Sequence, residues 1–204
     1  MKLRHNYRTI AAFLIVAVVL VSAVVSCSSG NDNAVPRPKG YFRISPYTPE
    51  YTVFDGAPLG IQINKSAAVK ITNNAATKDG SLWFDISYPR YNATVYCSYV
   101  PIEKKEFKAH MNNRMQRVMD NTRYGHPMCV TFEDTIHGIA SHLFMASEKN
   151  VTPVQFIATD STRFVYTGTL FMNGTMQPDS IAPVVNYITD DIMYMLQNLN
   201  PEIK

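Results

Sequence analysis

Apolar side chains follow two rhythms along this chain, and the first rhythm predicts strands. Residues Leu82–Tyr88 and 93–102 are rich in aromatic and β-branched side chains, and the turn-forming residues 89–92 separate them. Two such segments with a short proline-containing link predict a β-hairpin. Four later segments share this strand composition, with bend-forming residues between or within them: 128–133, 136–146, 154–160 and Phe164–Met172.

The second rhythm has a period of three to four residues and predicts two amphipathic helices. The first apolar stripe consists of Phe107, Met111, Met115 and Val118. It predicts a helix over about residues 103–123, with Glu103 and Glu106 in a first turn that suits the helix dipole. The second stripe consists of Ile181, Val184, Val185, Ile188, Ile192, Met195, Leu196 and Leu199. Its helix is predicted to start at a Ser180 cap and to end before Pro201.

The order of these elements is two strands, one helix, four strands and one helix. Consecutive strands exclude a regular alternation of strand and helix, so we expect an α+β fold with a largely antiparallel β-sheet and two main helices packed on it. The methionines of the first stripe suit a buried face better than a flexible partner groove. Weaker strand signals occur at 41–44 and 67–71. We predict one globular α+β domain over residues 52–204.

A different pattern occupies the N-terminus, where a basic segment precedes 16 uncharged, mostly apolar residues, 10–25. This layout is typical of a secretory signal peptide, and the apolar run is short for a transmembrane helix. Val24-Val25-Ser26-Cys27 then matches a bacterial lipobox. We therefore predict a signal peptide at residues 1–26, lipidation of Cys27, and a lipidated tether with a proline-rich arm at 27–51. The alternative is an uncleaved anchor in which the cysteine is incidental.

The charge balance gives no support for a nucleic-acid partner. The chain carries 19 Lys and Arg and 16 Asp and Glu, a formal charge of +3. Three of the basic residues, Lys2, Arg4 and Arg8, lie in the predicted signal peptide, so the mature chain has 16 residues of each sign. No cluster of Lys and Arg with interleaved aromatic residues occurs downstream. We therefore expect no nucleic-acid binding.

The remaining cysteines, Cys97 and Cys129, both fall in predicted strands. Outside the cytoplasm these two cysteines could form a disulfide. Two buried free thiols are an equally good interpretation, because the sequence does not fix the distance between the two Cα atoms. The histidines and cysteines do not fall at a recognised metal-ligand spacing. We therefore expect neither a metal nor another cofactor.

An envelope hydrolase is the enzymatic alternative. Ser161, Asp160 and His142 are residue types from which a nucleophile and its base could be built. However, the chain has no Gly-x-Ser-x-Gly elbow, and residues 159–162 have the composition of an ordinary turn. We therefore expect no catalytic residues and no enzymatic activity.

A carrier of a small ligand is a further alternative. It would use aromatic residues that cluster in one hairpin: Trp83, Tyr88, Tyr91, Tyr96 and Tyr99. Packing of an antiparallel sheet explains most of these aromatic residues without a ligand.

Residues 36–44, Pro-Arg-Pro-Lys-Gly-Tyr-Phe-Arg-Ile, form a distinctive signature in the proline-rich arm. Four later segments accompany it in order: the aromatic stretch 83–91, then 153–162, 168–171 and 179–181. Together these segments resemble the GldD-type gliding motility lipoproteins of Bacteroidetes, and the similarity spans nearly all of the predicted mature chain. Members of this family also occur in bacteria that do not glide.

The resemblance implies an envelope protein that is required for gliding and linked to the type IX secretion apparatus, without an established catalytic activity. It therefore implies a non-enzymatic accessory or assembly lipoprotein, whose partners are envelope proteins of that machinery. Ser28, Ser29 and Gly30 follow Cys27 in place of the acidic residues that accompany inner-membrane retention or surface display. We therefore expect a lipid anchor in the outer membrane and a domain that faces the periplasm.

The signature itself is the candidate partner-binding segment. Arg37, Lys39, Tyr41 and Arg43 combine cations with an aromatic side chain on a segment that prolines stiffen. The alternative is an arm packed across its own domain, held by aromatic side chains.

Overall fold

The structure is a computed structural model. It describes residues 48–72, 79–122, 125–147, 150–173 and 178–201, with the backbone alone for residues 178–180. The predicted signal peptide, Cys27 and the signature at 36–44 lie outside these ranges. None of the helices in the described ranges has the length and apolar character needed to cross a membrane.

Nine strands and two α-helices make up the described part of the chain. The strands are β1 (Tyr51–Phe54), β2 (Ile61–Asn64), β3 (Ala68–Ile71), β4 (Leu82–Tyr88), β5 (Ala93–Pro101), β6 (Met128–Asp134), β7 (Ile139–Met145), β8 (Val154–Thr159) and β9 (Phe164–Met172). The helices are α1 (Phe107–Asn121) and α2 (Pro178–Gln197). A short 3₁₀ helix, Pro89–Tyr91, links β4 to β5.

Seven strands form one antiparallel sheet in the order β3-β4-β5-β9-β8-β7-β6, and β1 and β2 form a separate antiparallel pair. The centre of the large sheet is the long pairing of β5 with β9, in which Tyr96 lies opposite Thr169 and Cys97 lies opposite Gly168. The structure confirms the α+β class, the antiparallel sheet and the predicted hairpin of β4 and β5.

Side chains alternate between the two faces of the large sheet, and each face receives one helix. Helix α2 covers the face that we call the core face, where the fully buried Phe84, Phe156 and Tyr166 pack together. Full burial of one such side chain contributes about 1.5–3 kcal/mol. Helix α1 packs on part of the opposite face, with Val118 against Ile157 and neighbouring apolar residues. The predicted methionine stripe therefore packs against the sheet, as expected, in a smaller apolar cluster on the face opposite the core face.

The first helix begins later than predicted. Residues 104–106 form a turn, and Glu106 is the N-cap of α1 without a side-chain cap hydrogen bond. Glu103 instead pairs with Lys105 ahead of the helix. The buried Ile102 explains the delay, because its amide donates to the Arg163 carbonyl at 2.8 Å and keeps the chain extended beyond β5. The expected acidic first turn was therefore wrong.

A turn also replaces the start of the strand predicted at 136–146. The Asp134 carboxylate accepts hydrogen bonds from the amides of Ile136 and His137, and Gly138 has a φ of 66°. Strand β7 consequently begins at Ile139. Helix α2 likewise begins at Pro178, two residues ahead of the predicted cap at Ser180.

The pair β1 and β2 was not predicted. Its signal was short but present, since Leu59, Ile61 and Ile63 alternate with polar or small residues and are all buried. Backbone hydrogen bonds between Gly60 and Asn200 fix the start of β2 beside the end of the described chain. Local composition could not reveal this partner 140 residues away in the sequence.

Candidate functional site

Helix α1 leaves part of its own sheet face uncovered, and we call this part the open face. It lies on β4, β5 and β9, on the side away from the core. By the alternation of side chains its members are Trp83, Asp85, Ser87, Thr94, Tyr96, Ser98, Thr167, Thr169 and Phe171. The group consists of three aromatic residues and six residues with hydrogen-bonding side chains.

Two of the aromatic side chains on the open face are strongly exposed. Trp83 retains 46% and Tyr96 retains 48% of its accessible surface. Phe171 contacts Tyr96 edge to face, with 6.2 Å between the ring centroids. Trp83, Tyr96 and Phe171 occupy diagonal positions on three neighbouring strands, and diagonal neighbours lie about 7–8 Å apart. The three rings therefore form a line across the sheet.

This arrangement divides the five aromatic residues that the sequence grouped together. The three tyrosines Tyr88, Tyr91 and Tyr99 belong to the core cluster or pack against it, and Tyr91 stacks edge to face on Tyr187 at 5.3 Å. Only Trp83 and Tyr96 reach the exposed surface together. An enclosed aromatic pocket made from all five is therefore not present.

A cavity of about 140 Å³ lies between α1 and the sheet, beside the open face. We call it the arginine pocket. Its polar walls come from both sides: Arg114, Arg117 and Asn121 on α1, and Gln155, Thr167 and Thr169 on the sheet. Thr167 and Thr169 belong to both sites, so the pocket adjoins the open face. The pairing of Tyr96 with Thr169 places the line of aromatic rings one strand away.

The arginine pocket has an uncompensated positive charge. Arg114 is partly buried and Arg117 is exposed, and neither forms an ion pair with a carboxylate in the described ranges. Burial lowers the pKa of Arg114 and the neighbouring Arg117 lowers it further, although a guanidinium stays charged in water. Two cations close together without a counter-charge favour an anionic ligand.

The amide of Gln155 forms a fixed wall of the arginine pocket. Gln155 retains only 4% of its accessible surface. Its Oε1 accepts a hydrogen bond from Asn121 at 3.0 Å, and its Nε2 donates to the Val118 carbonyl at 3.4 Å. These bonds join β8 to the last turns of α1. The pocket is therefore held by the packing of the helix on the sheet and not by a loop.

A second polar cluster lies near the core face, around the buried Asp191 of α2. Tyr51 donates a hydrogen bond to Asp191 Oδ1 at 2.8 Å, and Asn64 donates to both carboxylate oxygens. Tyr88 also hydrogen-bonds to Asp191. Burial raises the pKa of Asp191, and the hydrogen bonds from Asn64, Tyr51 and Tyr88 oppose that rise. Both oxygens are engaged, so this carboxyl ties β1 and β2 to α2.

The residues from which a hydrolase site could be built, His142, Asp160 and Ser161, do not come together in the structure. His142 lies on β7, opposite Ile157, and its Nδ1 is 3.1 Å from Thr131 Oγ1. Asp160 comes three residues after Ile157, about 10 Å along the strand direction. It accepts hydrogen bonds from the amides of Thr162 and Arg163 and pairs with the Arg163 side chain. Asp160 and Ser161 thus build a turn, as their composition indicated.

The cysteines are also far apart. Cys97 is buried on β5, whereas Cys129 is exposed on the edge strand β6. Four strand spacings separate these strands, about 19 Å, whereas a disulfide needs Cα atoms within about 7 Å. Both thiols are free. The disulfide considered from the sequence is therefore not formed, and the alternative of two buried thiols is right only for Cys97.

The other predicted site residues have a different status. Cys27, Arg37, Lys39, Tyr41 and Arg43 lie outside the described residues and stay predictions. No group of three metal-binding side chains comes together within the part of the chain that the structure describes.

The sequence reasoning missed the arginine pocket, although a signal for it exists. Arg114, Arg117 and Asn121 follow one another at steps of three and four and therefore share one side of α1. Trp83 alternates with the buried Phe84, which places it on the opposite face of β4. What the sequence does not contain is the position of α1 over β8 and β9, because this depends on packing between distant segments.

Comparison with known proteins identifies the family of this chain. A family model described as "gliding motility lipoprotein GldD" matches residues 31–200. The match starts after Cys27 and includes both the open face and the arginine pocket. No curated protein matches the chain significantly.

Proposed function

The chain belongs to the GldD family of gliding motility lipoproteins, and from this premise we propose that it is a non-enzymatic accessory of gliding motility and type IX protein secretion. The observation that carries the proposal is the family match over residues 31–200 of a 204-residue chain. The match covers every described element, so it applies to the folded domain as a whole.

The anchoring part of the proposal rests on the N-terminal sequence. Cleavage ahead of Cys27 would leave an acylated cysteine, and two or more acyl chains give stable membrane attachment. The polar residues 28–30 favour transport to the outer membrane. The domain would then face the periplasm, where it could meet the envelope components of a motility or secretion machine.

A binding role fits the polar chemistry of the domain better than catalysis does. Asp191 is the most deeply buried carboxyl among the described residues and is engaged by hydrogen bonds within the fold. Asp160 is engaged in a turn. The exposed features are surfaces instead, namely the open face and the arginine pocket. We propose that the protein partner is held by the signature segment with Arg37, Lys39, Tyr41 and Arg43.

The test is site-specific photo-crosslinking in a bacterium that makes the native lipoprotein. A photoreactive residue at Lys39 should capture components of the gliding or type IX machinery. The matched control is the same residue at Ile136, which is 87% exposed and lies in the turn between β6 and β7. Equal capture from both positions, or recovery of glycan-processing enzymes alone, would contradict the proposal.

A second measurement separates anchoring from folding. The Cys27→Ser variant should accumulate as an unlipidated precursor that keeps its signal peptide, and it should fail to support gliding or type IX secretion in place of the wild type. An unlipidated Cys27→Ser protein that restores both processes fully would show that the lipid is dispensable.

A further inference from the structure

We propose that the open face and the arginine pocket together bind an acidic polysaccharide, with its sugar rings on the aromatic line and an acidic group in the pocket. This is a ligand of different chemistry from the protein partner proposed above, and it uses different residues. The two proposals can therefore fail independently.

The charge of the pocket selects an anion. A guanidinium presents donors in a planar fork that matches the two oxygens of a carboxylate or phosphate. Arg114 is partly desolvated and has neither a hydrogen bond nor an ion pair with the other described residues. An oxyanion placed between Arg114 and Arg117 would offset this unfavourable charge. The side chains of Asn121, Thr167 and Thr169 line the same cavity and can contribute neutral hydrogen bonds.

The size of the pocket limits how much of the ligand enters it. A cavity of about 140 Å³ has room for four or five water molecules at ~30 Å³ each. This suits one acidic group and the edge of the sugar that carries it. The rest of the ligand must lie outside, and the surface that adjoins Thr167 and Thr169 is the open face.

The composition of the open face favours sugar over polypeptide. Five of its nine residues are serine or threonine, which are under-represented among the residues that dominate binding at protein interfaces. Aromatic rings present flat apolar surfaces on which the C–H faces of sugar rings can stack. The hydroxyl group of Thr169 stands beside Tyr96 and suits the hydroxyl groups of a sugar. The hydroxyl groups of Ser98 and Thr167 lie 2.8 Å apart and bond to each other, and the buried Thr94 accepts a hydrogen bond from Asn173.

The two features are close enough for one ligand. Tyr96 lies directly opposite Thr169 in the pairing of β5 with β9. Side chains of directly opposite residues are about 5 Å apart at Cβ. A sugar stacked on Tyr96 can therefore place an acidic group in the pocket. Asp85 is the one acidic residue of the open face. It lies on β4 directly opposite Tyr96 and beside Lys70, whose cation offsets its charge, and it is one strand farther from the pocket than Tyr96.

The chain contains its own reporter for this site, because Trp83 is its single tryptophan. The experiment titrates the full mature lipoprotein, in detergent micelles at low salt, with oligogalacturonate and records tryptophan fluorescence. We expect a saturable change that weakens as salt is added, because screening reduces the attraction between the acid groups and the arginines. A neutral oligogalactoside of the same length should bind at least about tenfold more weakly.

Variants of the arginines and of the aromatic line then test each contact. Arg114→Gln and Arg117→Gln should each weaken oligogalacturonate binding about tenfold, as expected for the loss of a charge-assisted contact. Tyr96→Ala should weaken both the acidic and the neutral oligosaccharide. Lys108→Gln is the matched control, because Lys108 is exposed on α1 outside the pocket and its substitution removes the same charge. It should bind like the wild type.

Three results would overturn the proposal. The first is the absence of a fluorescence change with oligogalacturonate, or binding by Arg117→Gln as tight as that of the wild type. The Arg117 side chain is exposed, so this variant should fold even where Arg114→Gln does not. The second is equally tight binding of an oligoglutamate peptide, which would assign the surface to acidic polypeptides. The third is equally tight binding of inorganic phosphate alone, which would reduce the site to an oxyanion pocket without a role for the aromatic line.

Discussion

Asn64 and Asp191 are 127 positions apart in the chain, yet the side-chain amide of Asn64 lies 3.0 Å from Oδ1 and 2.9 Å from Oδ2 of Asp191. Tyr51 donates to the same carboxylate from the other strand of the β1–β2 pair. The stacking of Tyr51 on Tyr194, with 3.7 Å between the ring centroids, adds an apolar contact at the same place. The first described strands are therefore held to the last helix.

The Asn64→Ala variant should be less stable than the wild type by about 1–3 kcal/mol, because it leaves a buried carboxylate without its main donor. Urea unfolding at pH 7 measures the difference. Asn113→Ala, at an exposed position of α1, is the matched control and should change the free energy of unfolding by less than about 0.5 kcal/mol. Equal effects of the two substitutions would contradict a structural role for Asn64.

The ionisation of Asp191 should make stability depend on pH in an unusual direction. Its pKa in the folded state is raised by burial, so the folded state holds this proton more tightly than the unfolded state. The stabilising contribution is fully present below the unfolded pKa of about 3.9 and is lost as the pH rises through the folded pKa. The free energy of unfolding of the wild type should therefore fall relative to that of Asp191→Asn as the pH rises above about 4.

Asp160 should show the opposite dependence. Burial alone would raise its pKa, but hydrogen bonds from Arg163, Thr162 and Phe164 outweigh this and lower the pKa. The contribution of Asp160 is therefore present above the unfolded pKa of about 3.9 and is lost as the pH falls through the folded pKa. Asp160→Asn should cost about 1–2 kcal/mol at pH 7 and less in acid. A cost that grows on acidification would show that the sign is wrong.

The contact between Gly168 and Phe156 should tolerate no added methyl group. These residues face each other across β8 and β9, and a Cβ at position 168 would lie 2.2 Å from a ring carbon of Phe156. Gly168→Ala should therefore destabilise the domain by about 1–3 kcal/mol through overpacking. Thermal unfolding of Gly168→Ala, Phe156→Leu and the double variant measures the coupling. Strictly additive effects would show that the ring and the added methyl group do not meet.

The two free cysteines should react with thiol reagents at very different rates. Burial raises the pKa of Cys97 to about 12, although the Tyr166 hydroxyl donates a hydrogen bond to its sulfur at 3.5 Å. Cys129 is exposed at the edge of the sheet. In the native lipoprotein one thiol should react quickly with Ellman's reagent, and Cys129→Ser should abolish that reaction. Cys97 should become reactive only after denaturation.

Sequence patterns predicted the elements of the large sheet well, because each of its main strands carries its own signal. The bounds of β4 and β9 agree with the structure, since aromatic and β-branched residues make up most of both strands. The start of α1 did not agree, because a long-range hydrogen bond from Ile102 to Arg163 competes with the local helix signal. Local propensity is a weak preference that such contacts override.

The candidate site was less predictable than the fold for the same physical reason. Arg114 and Thr169 are 55 residues apart, and they line one cavity only because α1 lies across β8 and β9. The alternation in β4 does predict that Trp83 faces away from Phe84. It does not predict whether a helix covers that face, which decides whether the ring is core or surface.

The position of α2 has a consequence for export. It is the last helix of the described chain, and it covers the core face on which Phe84, Phe156 and Tyr166 are buried. A chain that crosses a membrane with its N-terminus first would have all nine strands across before this helix arrived. The sheet would then lack its cover until translocation was nearly complete, so premature folding would be disfavoured and the apolar core face of the unfinished domain would be exposed to aggregation.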